Sequence, residues 1–171
     1  MMLVGKVAGY AAIVASMLIY QQNTKKSLLI CKAVADVLWI LHYFLLGGYT
    51  GAVVTCVALV REVVFFRSDR HSKTSKPILL LFLCISVVCS VLTWGNVFSL
   101  FAMLGSMLSI VSFWLGEPKV SRIMVFPISC CMLIYGVSNG SLAALINEVL
   151  VMISSVIGIF HHDRKNKQAT P

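Results

Sequence analysis

The chain has 171 residues, of which 59% are hydrophobic and only 12% charged, and its mean hydropathy is +0.93. Soluble domains run near about 45–50% apolar and about 25% charged, so a water-soluble enzyme or binding module is excluded and a bilayer becomes the natural solvent. The net charge of +8 would ordinarily raise nucleic acid as a partner, but its placement along the chain argues against one.

A spanning helix needs about 20 residues. The apolar runs fall at Leu3–Tyr20, Ser27–Leu46, Tyr49–Phe66, Pro77–Trp94, Val97–Leu115, Val120–Val137 and Ser141–Phe160. They predict an all-α polytopic membrane protein of seven transmembrane helices in a single domain spanning residues 1–171. The first run is expected to be a retained helix. Its cationic flank, Lys25 and Lys26, follows the apolar stretch, whereas a cleaved signal peptide carries that charge ahead of it.

Basic residues mark alternate breaks. Lys25 and Lys26 follow the first helix, and Arg67, Arg70, Lys73 and Lys76 follow the third. Lys119 and Arg122 follow the fifth, and Arg164, Lys165 and Lys167 follow the seventh. The breaks at Gly47-Gly48, Gly95-Asn96 and Ser138-Asn139-Gly140 hold no basic residue. By the positive-inside rule the N-terminus faces out and the C-terminus in. The basic residues then serve as topology signals and contacts for anionic lipids at the cytoplasmic face, not as a nucleic-acid surface.

The fourth run, Ile78–Thr93, contains no ionisable residue, and the chain around it looks duplicated. Residues 43–48 (YFLLGG) align with 135–140 (YGVSNG), and at the same offset of 92 Thr55 matches Asn147 and Cys56 matches Glu148. Residues 66–70 loosely echo 160–164. The expected plan is therefore 3+1+3: residues 1–67, a connecting helix at 77–95, residues 97–160, and a basic tail at 161–171. An odd number of helices per unit, with one connector, lets both triplets run the same way, related by an axis along the membrane normal.

Five ionisable residues fall well inside the spans: Lys32, Asp36, Arg61, Glu62 and Glu148. Each costs about 2.5–3.5 kcal/mol at a helix centre on insertion scales, and such residues face the bundle interior or a wet cavity. On the second helix Lys32, Asp36, Trp39 and Tyr43 share a stripe about 60° wide. Counted from the outer end, Asp36 lies about 15 Å deep, Arg61 about 18 Å, and Lys32 and Glu62 about 20 Å. Depth therefore matches Asp36 with Arg61, Lys32 with Glu62, and Lys32 with Asp36, and side-chain reach does not separate these pairings.

Three readings of the stripe remain open. The pairs lock the second helix to the third, or they line a solute path in which Trp39 and Tyr43 stack on a flat solute and donate hydrogen bonds, or they relay protons. Asn147 and Glu148 sit about 10 Å below the outer surface on the seventh helix. Glu148 has Lys6 and His42 as candidate partners, or it carries a proton, or it meets a cationic solute.

Other features point to packing. Gly5-x-x-x-Gly9, Gly105-x-x-x-Ser109 and Ser154-x-x-x-Gly158 are spacings that let helices approach closely. The six cysteines (Cys31, Cys56, Cys84, Cys89, Cys130 and Cys131) lie in apolar runs without metal spacing and read as small buried hydrophobes. His161-His162-Asp163 reads as a solvated tail beside the membrane. No phosphate loop, zinc spacing or nucleophile elbow is present in the sequence.

Residues His42–Gly51 (HYFLLGGYTG) and the following Ala58-Leu-Val-Arg61 resemble the core signature of the bacterial YgjV-type inner-membrane proteins. So does the stretch from Gly140-Ser-Leu through Asn147-Glu148 to Gly158-Ile and His162-Asp163-Arg164. In layout this family is similar to the SWEET and PQ-loop transporters and the nicotinamide riboside carriers, all 3+1+3 proteins. The Pro-Gln of the PQ-loop group is absent here; Gln21-Gln22 stands near that point without a proline. Pro127, the one proline inside a span, has Ala35 as its repeat mate, so the proline-pair hinge of the sugar carriers does not carry over.

These observations predict a multi-pass protein of the bacterial inner membrane that transports a small polar solute by alternating access. Lys32, Asp36, Trp39, Tyr43, Arg61, Asn147 and Glu148 are the expected binding residues. No metal, cofactor or catalytic set is expected, and a homo-oligomer is compatible with the reading. The rival is a non-transporting structural or sensory subunit whose buried charges only fix helix packing.

Overall fold

In the computed structural model, residues 2–45, 49–67, 75–92, 94–138 and 142–163 are described. They form α1 (Met2–Ile19), α2 (Lys25–Leu45), α3 (Tyr49–Arg67), α4 (Ser75–Leu92), α5 (Ser99–Leu115), α6 (Pro118–Ser138) and α7 (Leu142–Gly158). A π-helical turn, Ile159–Asp163, continues α7. No strand occurs among the described residues. Every helix end lies within two residues of the end of its apolar run.

Local chemistry sets several of these ends. Thr24 caps α2, its Oγ1 accepting from the Ser27 N–H at 3.2 Å. Gly116 ends α5 in the left-handed region at φ 64°, and its N–H donates to the Ser112 carbonyl. Only glycine takes that conformation without a steric cost. Pro118 then opens α6 at a first-turn position where a missing N–H costs nothing.

By length and composition α4 and α6 are sufficient to cross a membrane, with mean hydropathies of 2.2 and 1.8. The apolar stretches Leu3–Ile19, Ser99–Leu115 and Leu145–His161 fall just short of that length. Charged residues interrupt α2 and α3.

The distribution of side chains is inverted relative to a soluble domain. Leu92 is 80% exposed and Leu3 75%, and Tyr10, Leu80, Val97 and Phe160 also point outward. The interior holds nearly as many polar as apolar residues: Asp36, Arg61, Glu62, Arg122 and a set of serines are all buried. Water would penalise that surface heavily, whereas lipid solvates it.

The helices pack in two groups. α2 lies between α1 and α3, and α6 lies between α5 and α7. The groups meet where α1 contacts α7 and where α3 contacts α5. α4 lies along α5, held by a bond from the Trp114 indole to Ser75 (2.7 Å) and a Ser86–Ser106 hydroxyl pair (2.8 Å). The Phe82 ring on α4 meets Phe65 on α3 edge to face at 5.5 Å.

The small-residue spacings sit at helix contacts. Gly9 lies under the His42 ring, and Gly105 faces Cys131 and the Ile128 carbonyl on α6. Ser154 donates to the Met17 carbonyl at the end of α1. The cysteines depart from expectation: Cys56, Cys84, Cys89 and Cys130 lie on outward faces and only Cys31 and Cys131 are partly enclosed. A thiol facing lipid loses nothing by exposure, so an apolar run does not force it inward.

Candidate functional site: a central polar cavity

A cavity of about 270 Å³ lies between the two helix groups. α1 contributes Ser16 and the adjoining Tyr20 to its wall, α2 contributes Lys32, Asp36 and Trp39, and α3 contributes Ala58 and Arg61. From the other group come Ser109 and Phe113 of α5, Ser129 and Met132 of α6, and Asn147 and Glu148 of α7. Every helix except α4 takes part.

Six of the seven expected residues therefore converge on one space: Lys32, Asp36, Trp39, Arg61, Asn147 and Glu148. Helical spacing explains the α2 set, because residues three and four apart share a face. Tyr43 lies in α2, but its side chain is outside the described residues.

The pairing among the charges is local. The Lys32 ammonium donates to Asp36 Oδ1 one turn along α2. The Arg61 guanidinium donates to Glu62 Oε1 at 2.7 Å, on the adjacent residue of α3. Neither Asp36–Arg61 nor Lys32–Glu62 forms an ion pair among the described residues. Both cations instead approach one ring of the opposite group: Lys32 Nζ lies 5.7 Å and Arg61 Cζ 6.0 Å from the centroid of Phe113. A cation over an aromatic face gains about 0.5–2 kcal/mol when desolvated.

Glu148 pairs with neither of its expected partners. Its Oε2 accepts from the Ser129 hydroxyl at 2.6 Å, and its Oε1 lies 3.4 Å from the Asn147 amide nitrogen. Lys6 is exposed on α1, and His42 Nδ1 lies 2.8 Å from the Gly5 carbonyl oxygen. Trp39 donates to Ser16 at 3.2 Å and meets His42 edge to face at 5.4 Å, so its ring is held across α1 and α2.

Arg122 is the functional candidate that sequence reasoning missed. Lying just inside an apolar run, it reads as an interfacial topology charge like Lys119. The structure separates the two: Lys119 is exposed, while Arg122 is 2% exposed. Its Nε donates to the Tyr20 carbonyl at 2.8 Å, and an Nη donates to the Gln22 carbonyl at 2.7 Å and to Asn23 Oδ1 at 2.8 Å. These acceptors follow the C-terminus of α1, where carbonyls lack intrahelical partners and the helix dipole favours a cation. Around them Gln21 donates to the Ser154 carbonyl at 2.7 Å, and Ser155 donates to the Arg122 carbonyl at 2.6 Å. Gly158 completes the contact. A methyl group there would collide with the Tyr20 carbonyl oxygen and lie 2.9 Å from Arg122 Nε. The end of α1 is thus tied to α6 and α7 at the same end of the bundle. The only trace in the sequence is an arginine two residues into a span.

Neither the curated proteins nor the solved structures provide a match to this chain. A family model described as bacterial inner membrane protein (Imp-YgjV) matches residues 3–166, nearly the whole length. With an inverted surface, a polar interior and that match, the chain belongs to the YgjV family of bacterial inner membrane proteins.

Proposed function

We propose that this protein moves a small polar solute across the inner membrane by alternating access. One observation carries the reading: a cavity of about 270 Å³, walled by charged and polar side chains from six helices, lies between the two helix triplets. That volume lies just below the usual ligand-pocket range of about 300–1,000 Å³, which fits a small solute. Charged residues this deep in an apolar bundle are costly, and they mark solute or ion pathways.

The 3+1+3 plan belongs to this proposal. α1–α3 and α5–α7 act as parallel repeats, and α4 is the connector, which contributes nothing to the cavity wall. All seven helices cross the bilayer with the N-terminus outside. The Arg122 cluster then closes the cytoplasmic end of the path, and opening requires α1 to part from α6 and α7. Pro127, one and a half turns beyond Arg122, leaves the Ile123 carbonyl without its helical partner and supplies a flexible point in α6. The ion pairs count against a lock of α2 to α3 by charge, since Lys32–Asp36 and Arg61–Glu62 each close on their own helix.

Ser109, on the cavity wall, provides a test that needs no known substrate. In a background without native cysteines, Ser109→Cys is expected to react with a small membrane-impermeant thiol reagent from both sides. Right-side-out and inverted vesicles supply the two exposures. Labelling from one side only, or from neither, would overturn alternating access.

A further inference from the structure

Among the described residues, the buried side-chain polar atoms without a hydrogen-bond partner are all oxygens: Asp36 Oδ2, Glu62 Oε2 and Asn147 Oδ1. Two of those residues, Asp36 on α2 and Asn147 on α7, belong to the cavity wall, one from each helix group. Asp36 is 3% exposed, and its other oxygen is engaged by Lys32. The Asn147 amide is oriented by its contact to Glu148 through nitrogen, which leaves its carbonyl oxygen unmatched. A buried acceptor without a donor costs about 1–3 kcal/mol.

Charge points the same way. Glu148 accepts hydrogen bonds from Ser129 and Asn147, and no cationic side chain lies within ion-pair distance of it among the described residues. On the cavity wall Lys32 is paired with Asp36 and Arg61 with its neighbour Glu62, which leaves Glu148 as the wall carboxylate without a cationic partner. Arg122, the other buried cation, is spent on Tyr20, Gln22 and Asn23. It also lies about 10 Å along α6 from Ser129, the Glu148 partner. Most of the remaining wall, including Tyr20, Trp39, Phe113, Ile128 and Met132, is aromatic or apolar, with the hydroxyls of Ser16, Ser106 and Ser109 set among them.

Unmatched acceptors, a carboxylate without a cationic partner and a largely apolar remainder define a complement. Resting on the transport reading above, we propose that the cavity takes a small organic cation bearing N–H donors, an ammonium or guanidinium with a compact apolar body. Its N–H groups donate to Glu148 and, once those side chains turn toward it, to Asp36 Oδ2 and Asn147 Oδ1, and its charge balances Glu148. Its body rests against the aromatic wall. A bare alkali ion would leave most of the 270 Å³ unfilled, and an anion would meet Glu148 with like charge.

The test is thermal unfolding of the detergent-purified full chain with benzylammonium and phenylguanidinium. Benzyl alcohol, benzoate and sodium chloride at equal concentration are the comparisons. The two cations are expected to raise Tm by roughly 5–10 °C at a hundredfold excess over Kd, and the other three to leave it unchanged. Glu148→Gln removes the charge of the unpaired carboxylate while keeping the shape, and no ion pair depends on it, so it should fold and weaken cation binding at least about tenfold.

Equal stabilisation by benzyl alcohol or benzoate would overturn the proposal, as would no response to either cation. So would cation binding unchanged in Glu148→Gln. The two readings fail separately. Two-sided labelling of Ser109→Cys without cation binding removes the ligand class and leaves transport standing. Cation binding with one-sided labelling leaves the binding site and removes transport.

Discussion

Replacing Arg122 by methionine should be among the most damaging single changes in this protein, although sequence places it beside a harmless surface lysine. The side chain volume is nearly kept, but three charge-assisted hydrogen bonds to Tyr20, Gln22 and Asn23 are lost. Asn23 is exposed and recovers a solvent partner. The Tyr20 and Gln22 carbonyls are more enclosed, and an unsatisfied buried acceptor costs about 1–3 kcal/mol. Removing the guanidinium also removes the cost of keeping it out of water, which offsets part of the loss. The net is about 2–4 kcal/mol of destabilisation. For a chain of this size that lowers Tm by roughly 5–15 °C. Thermal melts of Arg122→Met and Lys119→Met in one detergent decide the matter. The lysine change, at an exposed position, should stay within about 0.5 kcal/mol of the parent. Equal melting of the two variants would refute the buried latch. If the latch is also the gate of the proposed path, Arg122→Met vesicles should label faster than the parent from the cytoplasmic side at Ser109→Cys.

The remaining predictions follow from the same contacts. Gly158→Ala forces a methyl against the Tyr20 carbonyl, a backbone atom that cannot swing aside, and should cost about 1–3 kcal/mol in a thermal melt; an unchanged Tm would mean that α7 does not approach α1 this closely. Lys32→Met should destabilise more than the double change Lys32→Met with Asp36→Leu, because the single change strands a buried carboxylate. A double-mutant cycle should show stronger coupling of Asp36 to Lys32 than to Arg61, and the reverse order would contradict the local pairing. A lone cysteine at Ser72, in the basic break between α3 and α4, should resist an impermeant reagent in intact cells and react in inverted vesicles; labelling in intact cells would reverse the proposed topology.

How much of this was legible in the sequence differs by element. Apolar runs of about helical length, punctuated by glycine pairs and basic clusters, located all seven helices, since lipid length and backbone hydrogen bonding leave few alternatives. The stripe of Lys32, Asp36 and Trp39 was readable because helical periodicity alone places those residues on one face, and the cost of charge in lipid turns that face inward. Asn147 and Glu148 were visible for the same reason. Partner choice was not visible. Depth along the bundle matched Asp36 equally to Lys32 and Arg61, and only the packed structure decided for the local pair.

Arg122 shows the limit most plainly. By itself the sequence determined that a basic residue stands near the start of the sixth span, a position that suits an interfacial charge as well as a buried one. Its burial depends on the α1 terminus about 100 residues earlier and on Ser155 and Gly158 about 35 residues later. No local periodicity reports such contacts. Four cysteines in apolar runs turned outward for a related reason: a bilayer does not penalise an exposed thiol, so hydropathy fixes membrane residence but not facing. Chain-local physics set which segments are helices and which faces carry charge. The packing of α1 against α7 and α3 against α5 decided what those faces enclose.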